Sequence, residues 1–534
     1  MSTPPQNRFV PRSTNESNTI QFEKTILLII RSETVLVRLQ ELCHLLFDDF
    51  RIQCLFTIPE PLSRFDRHLA GTLQSYGCVV VPWDIALQHS FDLAIACSPN
   101  GSIELVRAPL LILEHGPALS KPAAKSDTLD LISRLKTRSF QSIFLKSACF
   151  NEIEESADNI TSTAMGDPVY DSLILNARSR PIYREALGIR SRKLVTLSST
   201  WGPDSLLSQW PTLAKFLIEN MPGTEYVFAL ILHPYIWAAH GAWQIETWLR
   251  KELASGLLLI PHMQGWQGCI LASDCIIGDH GSVTHYSSLL GLQTMLIRES
   301  KCGMATEIPL VSQTLENSLI PKDQYDVIRF IESARRIDDL NPDGEDELFP
   351  NIGKSIEKMR ELIYSTLGLA QPKNKVNPIH ISIPHPISKL IPLFRTALSV
   401  QSDSVNTKTI EIRAYPAMLP SDNIVTDGML LAIIDDNLNH LACEANILID
   451  CRPYNTVKEA RSFSHFRRSE YLLQKIADEW HLYDKEHGSA HIIHTSIDDP
   501  AVLGRTAVYL LEEKQDCCLV RCNKQIETAE IIHK

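Results

Sequence analysis

The chain has 534 residues, 44% hydrophobic content and a formal net charge of −12. Because one hydrophobic core does not serve a chain of this length, we expect about three or four domains. The acidic balance excludes a general nucleic-acid binder, since no basic excess is present to neutralise phosphates.

The 13 cysteines are scattered without paired spacing, which predicts a reduced, cytoplasmic setting. No apolar run reaches the roughly 18 residues that a membrane helix needs, so any membrane contact is expected to be peripheral. Two segments carry metal-ligand residue types, Cys517-Cys518 with Cys522 and His491-x-x-His494. Both are predicted to be strands, where packing is favoured over zinc binding, and we expect no metal site.

Residues 1–20 are polar and proline-containing, and we predict a disordered tail. Apolar runs alternate with helical patterns over residues 21–185, which predicts an N-terminal Rossmann-like domain with strands at 25–30, 52–57, 78–81, 93–96 and 110–113. The last strand runs into Glu114-His115-Gly116-Pro117, at the edge where open α/β sheets bind ligands. A neutral imidazole at His115 can take a proton from a hydroxyl; the alternative is a structural histidine bonded to a neighbouring loop.

A second Rossmann-like domain is predicted over residues 186–370, with strands at 194–197, 226–232 and 257–260. Its first strand leads into the hydroxyl-rich loop Ser198-Ser199-Thr200-Trp201-Gly202-Pro203, which can face phosphate, and its second ends at His233-Pro234. We predict a helix over 204–219. An amphipathic helix over 352–367, with Ile356, Met359 and Ile363 on one face, is predicted to close this unit.

Residues 273–297 organise the second domain as a strand, a polar turn, a helix and another strand. The turn is Asp279-His280-Gly281-Ser282, with Ser282 as the predicted N-cap and Gly291 as the predicted helix end. Such a helix start directs free N–H groups at a ligand above the strand ends, and phosphate is the natural guest. The alternative is an ordinary strand-turn-helix unit in which His280 and His285 are structural.

These motifs occur in an order that resembles a known family. They are His115-Gly116, Gly166-x-Pro168-x-x-Asp171, Ser198-Ser199, His233-Pro234 and the 279–282 turn. Over about residues 21–370 the chain resembles the CDP-glycerol glycerophosphotransferase-like family of the two-domain, B-type glycosyltransferase fold, which includes teichoic-acid polymerases. UDP-GlcNAc 2-epimerases are similar in architecture.

The resemblance implies that His115 is the base, that His233 lies near the donor phosphates, and that residues 279–282 hold the donor. We therefore expect His115 and His233 to be catalytic, and expect seven residues to bind the donor: Ser198, Ser199, Thr200, Asp279, His280, Gly281 and Ser282. The family usually has Asp-Tyr-Ser-Ser at the turn with an acidic residue four positions on. Here His280 and Gly281 replace Tyr and the first Ser, and Tyr286 stands at the acidic position.

Residues 376–534 lie outside the resemblance and are predicted to form an α+β domain, with helices at 386–400 and 467–481. The fold class predicted for the whole chain is α/β, with two Rossmann-like domains facing across a cleft and this third domain.

The function predicted is transfer of a sugar or polyol-phosphate group from a nucleotide-diphosphate donor to an acceptor hydroxyl, with no cofactor. The alternatives are a UDP-sugar epimerase, which needs acid and base carboxylates for which Asp279 is the candidate, and a non-catalytic nucleotide-sugar sensor or scaffold.

Overall fold

The computed structural model describes residues 20, 22–43, 49–60, 69–113, 122–146, 157–297, 318–336, 349–374, 380–387, 393–402, 408–419, 421, 424–434, 443–455, 468–522 and 525–533. The predicted tail, apart from Ile20, and His115 lie outside the described residues. Within them the chain forms two parallel sheets followed by a closed barrel.

Seven parallel strands form the first sheet: β1 (Lys24–Ile29), β2 (Ile52–Thr57), β3 (Val80–Val81), β4 (Leu93–Ala96), β5 (Leu110–Leu113), β6 (Ser142–Lys146) and β7 (Ile160–Ala164). Their order is β3-β2-β1-β4-β5-β6-β7. The predicted strands are confirmed. Strands β6 and β7 were not predicted. In the case of β7 the reason is that it is a polar edge strand whose last four residues are at least partly exposed, so it lacks an apolar run.

Six helices accompany the first sheet and lead to the second: α1 (Glu33–Cys43), α2 (Leu69–Ser75), α3 (Trp83–Gln88), α4 (Pro122–Leu135), α5 (Pro168–Asn176) and α6 (Arg180–Ala186). Apolar side chains on the two faces of the sheet belong to two separate cores, one around Ile26 and Leu28 and one around Leu27 and Ile29. Burial on both faces explains why β1 is a continuous apolar run rather than an alternating one.

The second sheet contains β8 (Lys193–Ser199), β9 (Tyr226–Leu232), β10 (Leu258–Ile260), β11 (Cys275–Gly278), β12 (Gln293–Leu296) and β13 (Ser318–Leu319), all parallel, in the order β10-β9-β8-β11-β12-β13. Two Rossmann-like units are thereby confirmed. The helices here are α7 (Leu206–Gln209), α8 (Leu213–Asn220), α9 (Pro234–His240), α10 (Ala242–Trp248), α11 (Arg250–Ala254), α12 (Trp266–Ala272), α13 (Ser282–Leu289) and α14 (Gln324–Ser333).

The helix predicted over 204–219 is two helices in the structure. The chain leaves α7 at Trp210, whose φ is −134° and ψ is 69°, and α8 begins at Leu213. Pro211 explains the break, because the residue that precedes a proline is pushed out of the helical region.

The last helix of this region, α15 (Ser355–Leu367), packs on the first sheet. Ile356, Met359 and Ile363 share a core with Ile26 of β1 and Leu36 of α1. The prediction that this helix closes the second unit is wrong, because amphipathic spacing identifies an apolar face but not the surface that covers it. Conversely, α5 precedes the second sheet and contributes its apolar side chains to the core of that sheet.

Two buried carboxylates at the start of α5, Asp167 and Asp171, connect this helix to other parts of the structure. Asp167 caps α5 through the N–H groups of Val169 and Tyr170, and it also accepts bonds from Arg38 of α1 at 3.3–3.4 Å and from the Tyr286 hydroxyl at 2.8 Å. The Asp167 carboxylate therefore contacts one helix that accompanies the first sheet and one that accompanies the second.

Asp171 lies one turn further along α5. Its carboxylate accepts the N–H groups of Gly353 at 2.7 Å and of Ser355 at 3.0 Å, together with the Ser355 hydroxyl. The N-terminus of α15 is therefore held by α5. Burial raises the pKa of Asp171, and the bonds from Ser355 and Gly353 oppose that rise.

Replacing Arg38 with methionine should destabilise the protein by about 3 kcal/mol, because Arg38 is 8% exposed and its loss leaves the Asp167 charge buried without its cation. Lys24→Met is the matched control, since Lys24 pairs with Asp92 at 3.3 Å with 30% of its side chain exposed and should cost about 1 kcal/mol or less. Urea unfolding measures both. Equal losses would contradict a linking role for Asp167.

The C-terminal barrel contains β14 (Leu393–Ser402), β15 (Lys408–Pro416), β16 (Leu430–Ile434), β17 (Ile447–Tyr454), β18 (Tyr471–Ile476), β19 (Glu479–Asp484), β20 (Ser489–Thr495), β21 (Cys517–Cys522) and β22 (Gln525–His533), in the order β14-β15-β21-β22-β20-β19-β18-β17-β16. One helix, α16 (Pro500–Glu512), is buried from Ala501 to Leu510 and contacts five of these strands. The α+β class predicted for this domain is confirmed.

Both helices predicted here are wrong. Residues 393–402 form β14, and residues 467–481 overlap the hairpin of β18 and β19. The turn of this hairpin is Ala477-Asp478, and both residues have positive φ, at 46° and 69°. Such a turn ordinarily carries Asn or Gly, so its sequence gives no hairpin signal.

The barrel packs on the amino ends of the second sheet. The Gly223 N–H before β9 donates to Ala414 O of β15 at 2.7 Å, and Arg190 before β8 donates to Asp498 O at 2.5 Å. Cys518 and Val520 are buried, as predicted, and His491 and His494 lie on strand β20, as predicted. Among the described residues no helix is long and apolar enough to cross a membrane.

Candidate functional site

Polar residues follow β8, β9 and β11 at the carboxyl edge of the second sheet. Strands β9 and β10 lie successively on one side of the central strand β8, and the next strand in the chain, β11, lies on the other side of β8. The strand order therefore reverses at β8. Ligands of open α/β sheets bind at such a reversal, outside the carboxyl ends of the strands. Thr200 after β8 and Asp279 after β11 stand at this switch point, and His233 follows β9.

Asp279 connects the turn after β11 to the loop after β8. Its Oδ2 atom accepts the N–H groups of Thr200 and Leu206, each at 2.8 Å, and the residue is 4% exposed. Burial raises the pKa of Asp279, while the Leu206 N–H, the charge on His280 and the Thr200 N–H favour the carboxylate. The side chain therefore anchors both ends of the loop.

At the end of β8 the Ser199 hydroxyl is used within the protein. Ser198 and Ser199 are buried, and Ser199 Oγ donates to Thr200 O at 2.9 Å and accepts the Leu207 N–H at 3.0 Å. These bonds fix the start of α7 against the strand. The third predicted donor-binding residue here, Thr200, borders the turn after β11, since its methyl group faces Gly281.

Helix α13 begins at Ser282, and Gly281 occupies the N-cap position without a side-chain cap. The prediction that Ser282 is the N-cap is therefore wrong by one residue; its side chain is exposed at the first helical position. No side chain of the cap residue binds the N–H groups of the first turn, and such groups are suited to a phosphate ligand. Gly281 has an ordinary φ of −83°, but a Cβ there would lie 2.5 Å from Thr200 Cγ2. Glycine is needed because the two loops touch.

His233 precedes α9 as its N-cap. The side-chain Nδ1 atom accepts the Tyr235 N–H at 3.1 Å, and the backbone N–H of His233 donates to Ser199 O at 2.9 Å. Because Nδ1 is an acceptor, the neutral ring carries its proton on Nε2. The imidazole is therefore held at the sheet edge as an N–H donor.

The remaining histidines of the turn differ in burial. His280 is partly exposed, whereas His285 is 2% exposed inside α13. Burial, together with the charge of His280, lowers the pKa of His285 to about 4, so His285 is neutral at physiological pH. Tyr286, at the position where the resembling family has an acidic residue, donates its hydroxyl to Asp167. The site is thereby connected to the link between the sheets.

One contact across the two carboxyl edges was not predicted. Glu33, in the first turn of α1 after β1, pairs with His262 after β10, with Oε2 and Nε2 3.1 Å apart. His262 also stacks on Trp237 of α9, with ring centroids 5.2 Å apart. The sequence signal for His262 was its position directly after an apolar strand, but its partner lies 229 residues away and only the fold brings the two together.

The described chain also contains a cavity away from the switch point. A small cavity between the second sheet and the barrel is lined by Arg192, Tyr226 and Phe394, among others. It lies at the amino ends of β8 and β9, opposite the switch point. In the described ranges no group of three or more His, Cys, Asp and Glu side chains could hold a metal ion.

The chain is similar to several solved structures. These include the wall teichoic acid polymerase TagF, at 14% identity over 65% of this chain and 90% of that chain, with a TM-score of 0.42. A putative UDP-N-acetylglucosamine 2-epimerase from Listeria monocytogenes matches at 11% identity over 66% and 99%, with a TM-score of 0.39. A UDP-GlcNAc 2-epimerase from Neisseria meningitidis, bound to UDP-GlcNAc, matches at 13% identity over 64% and 99%, with a TM-score of 0.36.

Both groups of proteins named by the sequence resemblance are represented among these structures. No protein-family model and no curated protein matches the chain.

Folding stability should depend on pH through His285. The folded pKa of about 4 lies below the ordinary value of 6.5, so between these values the unfolded chain binds a proton that the folded chain does not. The contribution is fully present above pH 6.5, and up to about 3 kcal/mol is lost as pH falls to 4. Urea unfolding from pH 7 to 4 should show a shallower decline for His285→Gln, with the exposed His240→Gln as control. Parallel declines in all three proteins would refute this assignment.

Ser282→Ala separates a capping role from ligand binding. Because Ser282 is exposed and is not the cap, the substitution should change unfolding free energy by less than about 0.5 kcal/mol. If its hydroxyl donates to a phosphate oxygen, nucleoside diphosphate affinity should fall about tenfold, as for loss of a bond to a charged group. Titration calorimetry measures this, with Ser288→Ala at the other end of α13 as control. Unchanged affinity in a folded variant would exclude the contact.

Proposed function

We propose that the protein is a transferase that moves a sugar or polyol-phosphate group from a nucleotide-activated donor to an acceptor hydroxyl. The observation that carries the proposal is the convergence, at the switch point of the second sheet, of the Thr200 loop, His233 and the uncapped start of α13. His233 and the start of α13 present N–H donors, which is what a diphosphate leaving group requires, and the Thr200 loop borders them. The similar structures include a teichoic acid polymerase and an epimerase bound to UDP-GlcNAc.

In the proposed reaction the donor diphosphate lies against the first turn of α13. His233, with Nδ1 occupied by the Tyr235 N–H, directs its Nε2 proton to a phosphate oxygen. As the bond to the transferred group breaks, negative charge grows on the diphosphate, and these N–H groups stabilise it. Asp279 has a positioning role, because its Oδ2 atom holds the loop after β8 through two backbone bonds.

The proposed reaction uses no metal or other cofactor; the nucleotide-activated donor is a substrate. His115 remains the proposed base that takes the acceptor proton, on the strength of its place after β5 and of the family resemblance. The acceptor would enter from the first sheet, whose carboxyl edge contacts the second through Glu33 and His262.

A UDP-sugar epimerase is the less favoured alternative. It needs carboxyl groups that exchange protons with the sugar, and Asp279 was the candidate. Asp279 is 4% exposed and one of its oxygens accepts two backbone N–H groups, so it is poorly placed to reach a substrate carbon.

A ligand panel tests the proposal. Wild-type protein is titrated with CDP, UDP, GDP and their sugar or glycerol conjugates, and each binder is incubated to detect donor hydrolysis or transfer. We expect a nucleoside diphosphate to bind and its conjugate to be turned over. Binding without turnover would favour a sensor, and no binding would refute both a transferase and a sensor.

His115→Ala tests the base. If His115 takes the acceptor proton, the variant should lose transfer by at least about a hundredfold and keep near wild-type nucleotide affinity and melting temperature. Transfer assays, calorimetry and thermal unfolding give the three readouts. Wild-type activity would refute the base assignment, and a large drop in melting temperature would instead indicate a structural histidine.

A further inference from the structure

An aromatic row extends from His233 to the loop after β8. His233 and Tyr235 meet edge to face with ring centroids 5.1 Å apart, and Tyr235 and Trp201 meet edge to face at 5.4 Å. The row therefore begins at the N–H donor proposed for the phosphates and ends at Trp201, on the loop formed by residues 200–205, which we term the Trp201 loop.

The Trp201 loop is fixed at both ends. Asp279 binds the N–H groups of Thr200 and Leu206. Within the loop Ser205 N–H donates to Gly202 O at 3.2 Å, and the Gln209 amide donates to Pro203 O at 2.6 Å. A loop held in this way presents its side chains in a set geometry, which lowers the entropy cost of binding.

Trp201 is nevertheless 41% exposed. The contact with Tyr235 therefore leaves part of this large apolar side chain exposed to solvent. Burial of that remaining surface by a flat ring would be favourable, and stacking of a nucleobase on an aromatic side chain is the best-known case.

The position of Trp201 identifies the ring. Trp201 directly follows Thr200, whose side chain touches the N-cap of α13 at Gly281. Consecutive Cα atoms are about 3.8 Å apart, so the indole is attached beside the proposed diphosphate site. In a nucleoside diphosphate only the ribose separates base from phosphate.

We propose that Trp201 stacks on the base of the nucleotide donor, with Tyr235 supporting the indole from the side. This subsite rests on the proposed function, because it is defined relative to the diphosphate. Stacking uses the π face that every base has, so it supplies affinity and little discrimination among bases.

The test compares nucleotides with a ligand that has no base. Inorganic pyrophosphate, UDP, CDP and GDP are titrated calorimetrically into wild-type protein, Trp201→Ala and Trp201→Phe. We expect Trp201→Ala to lose about tenfold in affinity for all three nucleotides and to keep its affinity for pyrophosphate. Trp201→Phe should stay within about threefold of wild type, because phenylalanine retains an aromatic face.

Trp243→Ala is the matched control, since Trp243 is 76% exposed on α10 of the same domain and outside the aromatic row. It should leave every affinity unchanged. A loss in Trp243→Ala equal to that in Trp201→Ala would refute the subsite.

Other results of these titrations would overturn the stacking proposal. Unchanged nucleotide affinity in folded Trp201→Ala would overturn the stacking proposal, while pyrophosphate binding would leave the proposed phosphate site in place. Equal losses for pyrophosphate and nucleotides would mean that Trp201 only shapes the loop. If wild-type protein binds neither pyrophosphate nor nucleotide, the proposed function fails together with the subsite.

Discussion

The arrangement of the first two domains depends on two buried carboxylates at the start of one helix. Asp167 caps α5 while it accepts bonds from α1 of the first domain and from Tyr286 in α13 of the second. Asp171 binds the start of α15, the helix that returns to the first sheet. A buried carboxylate is costly unless its oxygens are hydrogen-bonded, and here the bonds come from α1, α5, α13 and the start of α15. Because these carboxylates must keep their hydrogen-bond partners, α5 stays packed on the second sheet and α15 on the first.

The same link reaches the candidate site. Tyr286 lies on α13, one turn after the Ser282 start that is proposed to receive the donor diphosphate. A rigid helix that is bonded to the domain junction at one point presents its N-terminal N–H groups in a fixed direction. Preorganisation of this kind matters because donors that are already oriented need no rearrangement when charge develops on the leaving group. The anchor of the Trp201 loop at Asp279 serves the same end on the neighbouring strand.

The barrel occupies the opposite side of the second domain. Its contacts through Gly223 and Arg190 lie at the amino ends of the strands, so the barrel is separated from the switch point by the length of the sheet. Its interior is filled by α16, whose residues are buried along nearly the whole helix. The barrel is therefore remote from the chemistry proposed at the carboxyl edge.

The sequence by itself determined the two parallel sheets and the site turn, because strands buried on both faces are continuous apolar runs and loops at their ends carry glycine and hydroxyl residues. It also placed Thr200, His233 and Asp279 directly after strands. Only the tertiary structure decided which surfaces cover an apolar face, so α15 was assigned to the wrong sheet. Likewise the β18–β19 hairpin, whose Ala477-Asp478 turn has no glycine, was predicted to be a helix. Two contacts of the site join residues far apart in the sequence: Glu33 with His262, and Asp279 with the Trp201 loop. The periodicity of apolar residues along the chain carries no information about such long-range contacts.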